Sequence, residues 1–355
     1  MTTNRKYRKM MRKMIFTLVC LLSMSVAANA ASKTDVVLQH GSKITIYDIE
    51  NFQSAIEDAV DGDVVFLPEG TYPGFGITKK ITVQGVWDAT VIEGNVTVDI
   101  SGEGEFTAPL LQYLTVTGNM TVNVPDGSVF TAPMLQYVNI RNGSVKINSE
   151  TKGLGFKQCK TGTISYFKKT YDAYIDRCDC ALDISRTYSE TITIDGAGGT
   201  FIYPFVKKLT VNNSIVGVLG DPYSTNATFI NCMLVPSHVG ATLGSVFNSI
   251  VLSTSTATPL KNTELVNSYI IKNNFLSLST GCTTTGCYFG EADLKYDSED
   301  IATNGYYGTD GTIIGPLGGT TPFTLTPDLP KVKVGGIKVD TQKQELNVTL
   351  TTSQE

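Results

Sequence analysis

The densest charged stretch of the chain is YIDRCDCALDISR, which brings Asp176, Arg177, Asp179, Asp183 and Arg186 close together. Carboxylates at this density can hold a hard cation such as calcium through oxygen ligands, and a neighbouring guanidinium can orient hydroxyls or uronates. Asp176 and Asp179 are an odd number of residues apart, so strict strand alternation denies them a common face. The favoured alternative is a solvated face whose cross-strand ion pairs contribute about 0.2–1 kcal/mol each. Tyr166, Phe167, Tyr171, Tyr174 and Tyr188 crowd the same region, followed by Phe201, Tyr203 and Phe205. Exposed rings hold sugar faces by stacking, while stacked core rings serve packing alone, and the two readings carry equal weight. The candidate ligand-binding set is Tyr166, Tyr171, Tyr174, Asp176, Arg177, Asp179, Asp183, Arg186 and Tyr188. No catalytic residue and no metal ligand is assigned.

Other chemistry finds little support. His40 and His238 are far apart and have no carboxylate or cysteine pattern beside them, so each reads as a surface or turn residue. Gly-x-Ser-x-Gly and phosphate-loop patterns are missing, which removes the usual support for acyl and phosphoryl transfer. Glu291, Asp293, Asp297, Glu299 and Asp300 lack the spacing and central glycine of a calcium loop and read as an exposed connection. Beyond Cys20 lie Cys159, Cys178, Cys180, Cys232, Cys282 and Cys287, whose pairing the sequence leaves open. Cys159 and Cys178 occupy equivalent positions in successive repeats and could bridge, whereas Cys232, with Ser214 and Ser249 as column neighbours, reads as a buried free thiol.

The elements that must position these residues are short repeats. FTAPLLQYLTVTGNMTVNV at 106–124 returns as FTAPMLQYVNIRNGSVKIN at 130–148, and GNVTVDI at Gly94 precedes GNMTVNV at Gly118 by the same interval. Further on, Cys159, Cys178, Gly196, Ser214, Cys232, Ser249, Ser268 and Cys287 recur at near-constant spacing, which marks stacked coils. Ile230, Cys232 and Leu234 alternate onto one face, as do Phe247, Ser249 and Val251, and Val266, Ser268 and Ile270, with Asn231, Asn248 and Asn267 opposite. The asparagines are expected to form a polar column, as an outward row or an amide ladder at a turn. A coil buries its apolar row only against coils above and below, so like residues should form columns through the core. On the order of 11 coils are expected between residues 64 and 290.

At the N-terminus, Arg5, Lys6, Arg8, Lys9, Arg12 and Lys13 precede the apolar run Met14–Val26 and the small-x-small sequence Ala28-Asn29-Ala30, a signal-peptide pattern with cleavage expected after Ala30. Full length, 28 basic residues face 33 acidic ones. Loss of those six basic residues would leave 22 against 33, or −11, which disfavours nucleic acid as a partner. The expected organisation is a signal peptide at 1–30, a solenoid with its N-terminal cap at 31–303, and a C-terminal region at 304–355. Asn304–Pro330 is expected as a loop-rich cap and Val332–Thr351 as a closing strand pair. No later stretch is apolar enough for a membrane span, and export places the product in the periplasm, outside the cell or on its surface.

Ile46–Val60 reads as an amphipathic helix, followed by Gly62-Asp63, the apolar run Val64–Leu67, and then Pro68, Gly70 and Tyr72. In this order the segment resembles the start of the pectin-lyase-like superfamily of right-handed parallel β-helices, and the likeness extends as pattern over about residues 46–290. The tail resembles that of secreted β-helix proteins of gut Bacteroidetes. The resemblance implies an all-β, single-stranded right-handed parallel β-helix with an N-terminal capping helix and a C-terminal loop and strand cap. Polysaccharide lyases of the family hold calcium on Asp clusters beside an Arg or Lys base, and its hydrolases use paired Asp with Gly-His-Gly. This chain has neither Gly-His-Gly nor Arg-Ile-Lys. The leading expectation is a non-catalytic secreted protein without a required cofactor, calcium being the one metal in view. Its partner would be a polysaccharide or a surface protein, bound on an extended face. The alternatives are a lyase or hydrolase with an atypical site and a purely structural role in a surface assembly.

Overall fold

Short apolar strands repeated at near-constant spacing stack into a parallel β-solenoid of about ten turns. The computed structural model describes residues 35–183, 189–202, 206–219, 226–236, 242–252, 258–271, 276–291, 294, 299–324, 331–340 and 345–353. The packing follows from register. Val65, Val83, Leu111, Leu135, Phe156, Ile175, Ile194, Val211, Phe229, Val246 and Leu265 are parallel partners from one turn to the next. All of them are buried. A second buried column runs through Val98, Val122 and Ile147, the last reached by one extra residue inserted between Ile140 and Val145 relative to the preceding turn.

Between these faces the chain turns a sharp corner on a single residue. Tyr113, Tyr137, Gln158, Arg177, Asn213, Asn231, Asn248 and Asn267 all have φ between 45° and 55°, and Gly196 and Gly286 take the same place in their turns. Asparagine and glycine reach this left-handed region at the lowest cost, which explains why Asn recurs there. The asparagine column therefore stands at a turn. The corner also shifts the strand phase by one. Before it, Phe229, Val246 and Leu265 point inward, and Ile230, Phe247 and Val266 are only partly buried, contrary to the simple alternation. After it, Cys159, Cys178, Ala197, Ser214, Cys232, Ser249 and Ser268 point inward. Ala197, and not Gly196, belongs to this small-residue column, because the glycine is the corner. The hydroxyls tie turns together: Ala197 N donates to Ser214 Oγ, Cys232 N to Ser249 Oγ and Ser249 N to Ser268 Oγ, at 3.0–3.1 Å. Cys159 and Cys178 do stack on adjacent turns, as free thiols, with Cys159 N donating to Cys178 Sγ. Cys232 is a buried free thiol whose pKa burial pushes up to about 12.

The first turn is closed by a hairpin and a short helix. Strand β1 (Val36–His40) pairs antiparallel with β2 (Lys43–Tyr47) on one side and with β3 (Val64–Phe66), the first solenoid strand, on the other. Helix α1 spans Phe52–Asp58 after a single 3-10 turn at Ile49–Asn51, shorter than the expected Ile46–Val60 because Ile46 and Tyr47 are drawn into β2. It buries Phe52, Ala55 and Ile56, with the Phe52 ring 5.3 Å from Tyr72 and 6.1 Å from Phe75. Exposed His40 meets the buried carboxylate of Asp63, which also accepts Val60 N. No helix among the described residues is long and apolar enough to cross a membrane.

The described C-terminal loops pack on the last turns and run back along the solenoid. Residues 304–324 form a strap along the flank of the solenoid, over the asparagine corner. Thr309 N and Oγ1 donate to Asn248 Oδ1, Asn231 Nδ2 to Asp310 Oδ2, and Asn213 Nδ2 to Thr321 Oγ1. Gly315 N donates to Asn248 O, and Tyr306 packs on Tyr269 and Tyr288. Lys331–Asp340 and Glu345–Ser353 form an antiparallel hairpin that pairs with no solenoid strand among the described residues.

Candidate functional site

The strap covers the corner from Asn213 to Asn248. Towards the N-terminus the same corner carries Tyr113, Tyr137, Gln158, Arg177 and Gly196, of which Gln158 and Gly196 are buried, and Trp87 (φ 51°), whose register partner is Leu114, stands in an irregular segment beside it; no hydrogen bond among the described residues joins the strap to any of these. Bulky residues in the left-handed region are uncommon, and three aromatic ones in successive turns form one structure. Tyr113 and Tyr137 stack with centroids 4.9 Å apart and planes 11° from parallel, while Trp87 meets Tyr137 edge-on at 6.0 Å. All three side chains are half-buried. Burial raises the pKa of both tyrosines, and the charges of Arg177 and Asp176 also act on Tyr137, so both phenols stay protonated near neutrality. Because Tyr113 and Tyr137 take one another's faces, the stack offers a ligand its edges and hydroxyls, and Trp87 offers its indole.

Two strand rows flank this corner. On one side Gln84, Gln112, Gln136, Lys157, Asp176 and Asp195 are partners in consecutive turns, and Gln112 Nε2 donates to Gln84 Oε1 at 2.8 Å. On the other side the row is Thr115, Asn139, Lys160, Asp179 and Gly198. The charges pair within this surface. Arg177 forks onto Asp176 at 3.0 and 3.3 Å, Lys160 lies 3.3 Å from Asp179, Lys157 4.0 Å from Asp176 and Arg141 3.4 Å from Asp88. The Arg177 side chain lies over Gly196, where a Cβ would stand 2.9 Å from its Cγ.

The nine residues expected to bind a ligand do not form one patch. Tyr174, Asp176 and Arg177 join the corner surface, with the Tyr174 ring lying where a side chain on Gly155 would stand. Asp179 lies across the corner, in the next row, and Asp183 follows it at the end of the strand Asp179–Asp183. Tyr171 sits on the third face beyond Asp172, itself a left-handed corner, with Lys169 Nζ 4.6 Å from its ring centroid. Tyr166 is buried in the core, where burial drives its pKa up, and it presents no surface to a ligand. Arg186, Tyr188, Tyr203, Phe205 and His238 lie outside the described residues, as do the side chains of Phe201 and Ile202. Sequence reading missed Trp87, Tyr113 and Tyr137. The signal available was the LQY shared at 111–113 and 135–137, a bulky aromatic fixed at one place in consecutive repeats.

Acid–base chemistry asks for carboxylates that face one another or are held protonated. Asp126, Glu190 and Asp310, the described carboxylates with a displaced pKa, are all shifted downward; Lys168 causes this at Asp126, and Lys207 and Lys169 cause it at Glu190. No group of three or more His, Cys, Asp or Glu side chains among the described residues could hold a metal ion. No family model matches the chain, and no curated protein matches it.

Proposed function

We propose that this protein is an exported, non-catalytic solenoid that binds a glycan along the corner running from Trp87 to Gly196. The reading rests on the stretch that the strap's hydrogen bonds do not reach: two phenol hydroxyls and the Arg177 guanidinium stand at the corner, the Trp87 indole beside it, and the amides of Gln84, Gln112 and Gln136 with Tyr174 and Asp176 on the flanking strands, turn after turn at the strand spacing. Such an array suits a polymer whose own repeat delivers hydroxyl groups at regular intervals, and Trp and Tyr supply both apolar surface and a polar tip. Asp88, Asp176 and Asp179 are each engaged by a cation and serve as orienting groups. Export follows from the basic, apolar and small-x-small N-terminus. Retention on immobilised polysaccharides tests the reading, with Gln112→Ala/Gln136→Ala as the variant. Both side chains point outward, so the variant should melt like the parent and lose retention at least tenfold. Unchanged retention would move the site elsewhere, and release of reducing ends or unsaturated uronates from a bound polymer would make the protein an enzyme.

A further inference from the structure

We infer that the ligand of this corner is a neutral, linear glycan segment of about five sugar units. The inference rests on the glycan-binding reading above and adds charge class and length. Polyuronates and sulfated glycans require cations free to meet their anionic groups, and Arg or Lys serves that purpose only when no carboxylate already claims it. The corner and its flanking rows carry four cations, Arg141, Lys157, Lys160 and Arg177, against four carboxylates, Asp88, Asp176, Asp179 and Asp195. Arg141 pairs with Asp88, Lys160 with Asp179, and Lys157 and Arg177 both approach Asp176. Asp195 lies in the field of Arg177 and accepts Asn213 Nδ2. The surface is locally neutral. The chain around it is acidic, with a formal charge of −5 that becomes more negative if the basic leader is removed, so a polyanion is repelled before it arrives. What remains unpaired in charge terms is the amide, hydroxyl and ring chemistry that suits uncharged hydroxyl-rich chains.

The length follows from the strap. Thr321, Gly319 and Asp310 occupy the corner from Asn213 onward, with Gly319 packed so closely that a Cβ would stand 2.3 Å from Asn231 Nδ2. A ligand along the corner therefore stops before Asn213. Trp87 to Gly196 covers six turns, or roughly 24 Å at about 4.8 Å per strand spacing. A sugar residue in an extended β-linked chain advances by a similar distance, which gives about five units.

The test uses the purified chain against length series, from two to eight units, of neutral gluco-, xylo- and manno-oligosaccharides and of oligogalacturonates. Neutral oligomers should bind, with affinity rising to about five units and then levelling, and 0.5 M NaCl, about 4 Å of screening length, should change it less than twofold. Asp88→Asn/Asp176→Asn should gain salt-sensitive oligogalacturonate binding, because it frees Arg141, Lys157 and Arg177. Salt-sensitive oligogalacturonate binding by the parent would overturn the charge class while leaving the glycan reading intact. Affinity still climbing at eight units would overturn the length. Binding to neither series by a chain that melts cooperatively would sink both the inference and the reading beneath it.

Discussion

Replacement of Asn248 by leucine tests the corner and the strap together. Asn248 is buried, holds φ at 49°, and its Oδ1 accepts Thr309 N at 3.0 Å and Thr309 Oγ1 at 3.2 Å. Leucine forfeits the left-handed tolerance of asparagine, about 1 kcal/mol, and both hydrogen bonds at about 1 kcal/mol each, or about 3 kcal/mol in total. Because stability in a solenoid is local, that loss should appear first as release of the strap. In limited proteolysis with reclosing faster than cleavage, about 3 kcal/mol corresponds to a roughly hundredfold faster cut within 304–324. Asn248→Gly keeps the backbone conformation and loses the bonds, so roughly thirtyfold is expected. Asn248→Asp keeps the backbone preference and both acceptor contacts, and a few-fold change is expected. Equal cleavage rates in Leu, Gly and parent chains, or faster cutting that maps away from the strap, would refute the reasoning.

Three further outcomes follow from the packing. Phe229→Ala empties a fully buried position and should cost about 3–5 kcal/mol in denaturant or thermal unfolding. Gly143→Ala would set a Cβ 2.0 Å from Gly118 O and should abolish recovery of folded protein, while Gly102→Ala, with nothing within 4 Å, should melt within about 0.5 kcal/mol of the parent. Lys207 and Lys169 hold the Glu190 pKa below its ordinary value, so its contribution is present above the ordinary glutamate range and is lost as pH falls through the folded pKa. Glu190→Gln should therefore melt below the parent at neutral pH and converge with it in acid; a constant difference across that range would contradict the ion-pair account.

The repeat pattern carried the architecture well. The shared FTAP and LQY of 106–113 and 130–137 announce superposed turns, and Leu111 and Leu135 are register partners. The corner was harder to see, because strict alternation across Ile230, Cys232 and Leu234 assumes an unbroken strand. One left-handed residue resets the phase, so Phe229 and not Ile230 reaches the core. The N-S dipeptides at 213–214, 248–249 and 267–268 were the legible trace, with Asn suited to the bend and Ser to the narrow space beyond it. The binding surface was read only in part. Sequence proximity grouped Tyr171 with Tyr174, whereas Asp172 turns the chain between them onto different faces. Trp87, Tyr113 and Tyr137 entered no candidate set, since position in a strand says nothing of position on a bend.

The antiparallel pairing of β1 with β3 has a consequence at the level of many molecules. The other described solenoid strands pair in parallel register, so a bare first turn would match the last turn of another copy by simple translation. A contact of that kind never closes and grows into a fibre. Strand β1 takes up the edge of β3, and β2, antiparallel to β1 and so parallel to β3, forms the outer edge as a single five-residue strand that begins at Lys43. Short edges carrying lysine are poor templates for strand addition, and helix α1 buries Phe52, Ala55 and Ile56 at the same end, so the hairpin at Val36–Tyr47 leaves a further copy little apolar surface on which to stack.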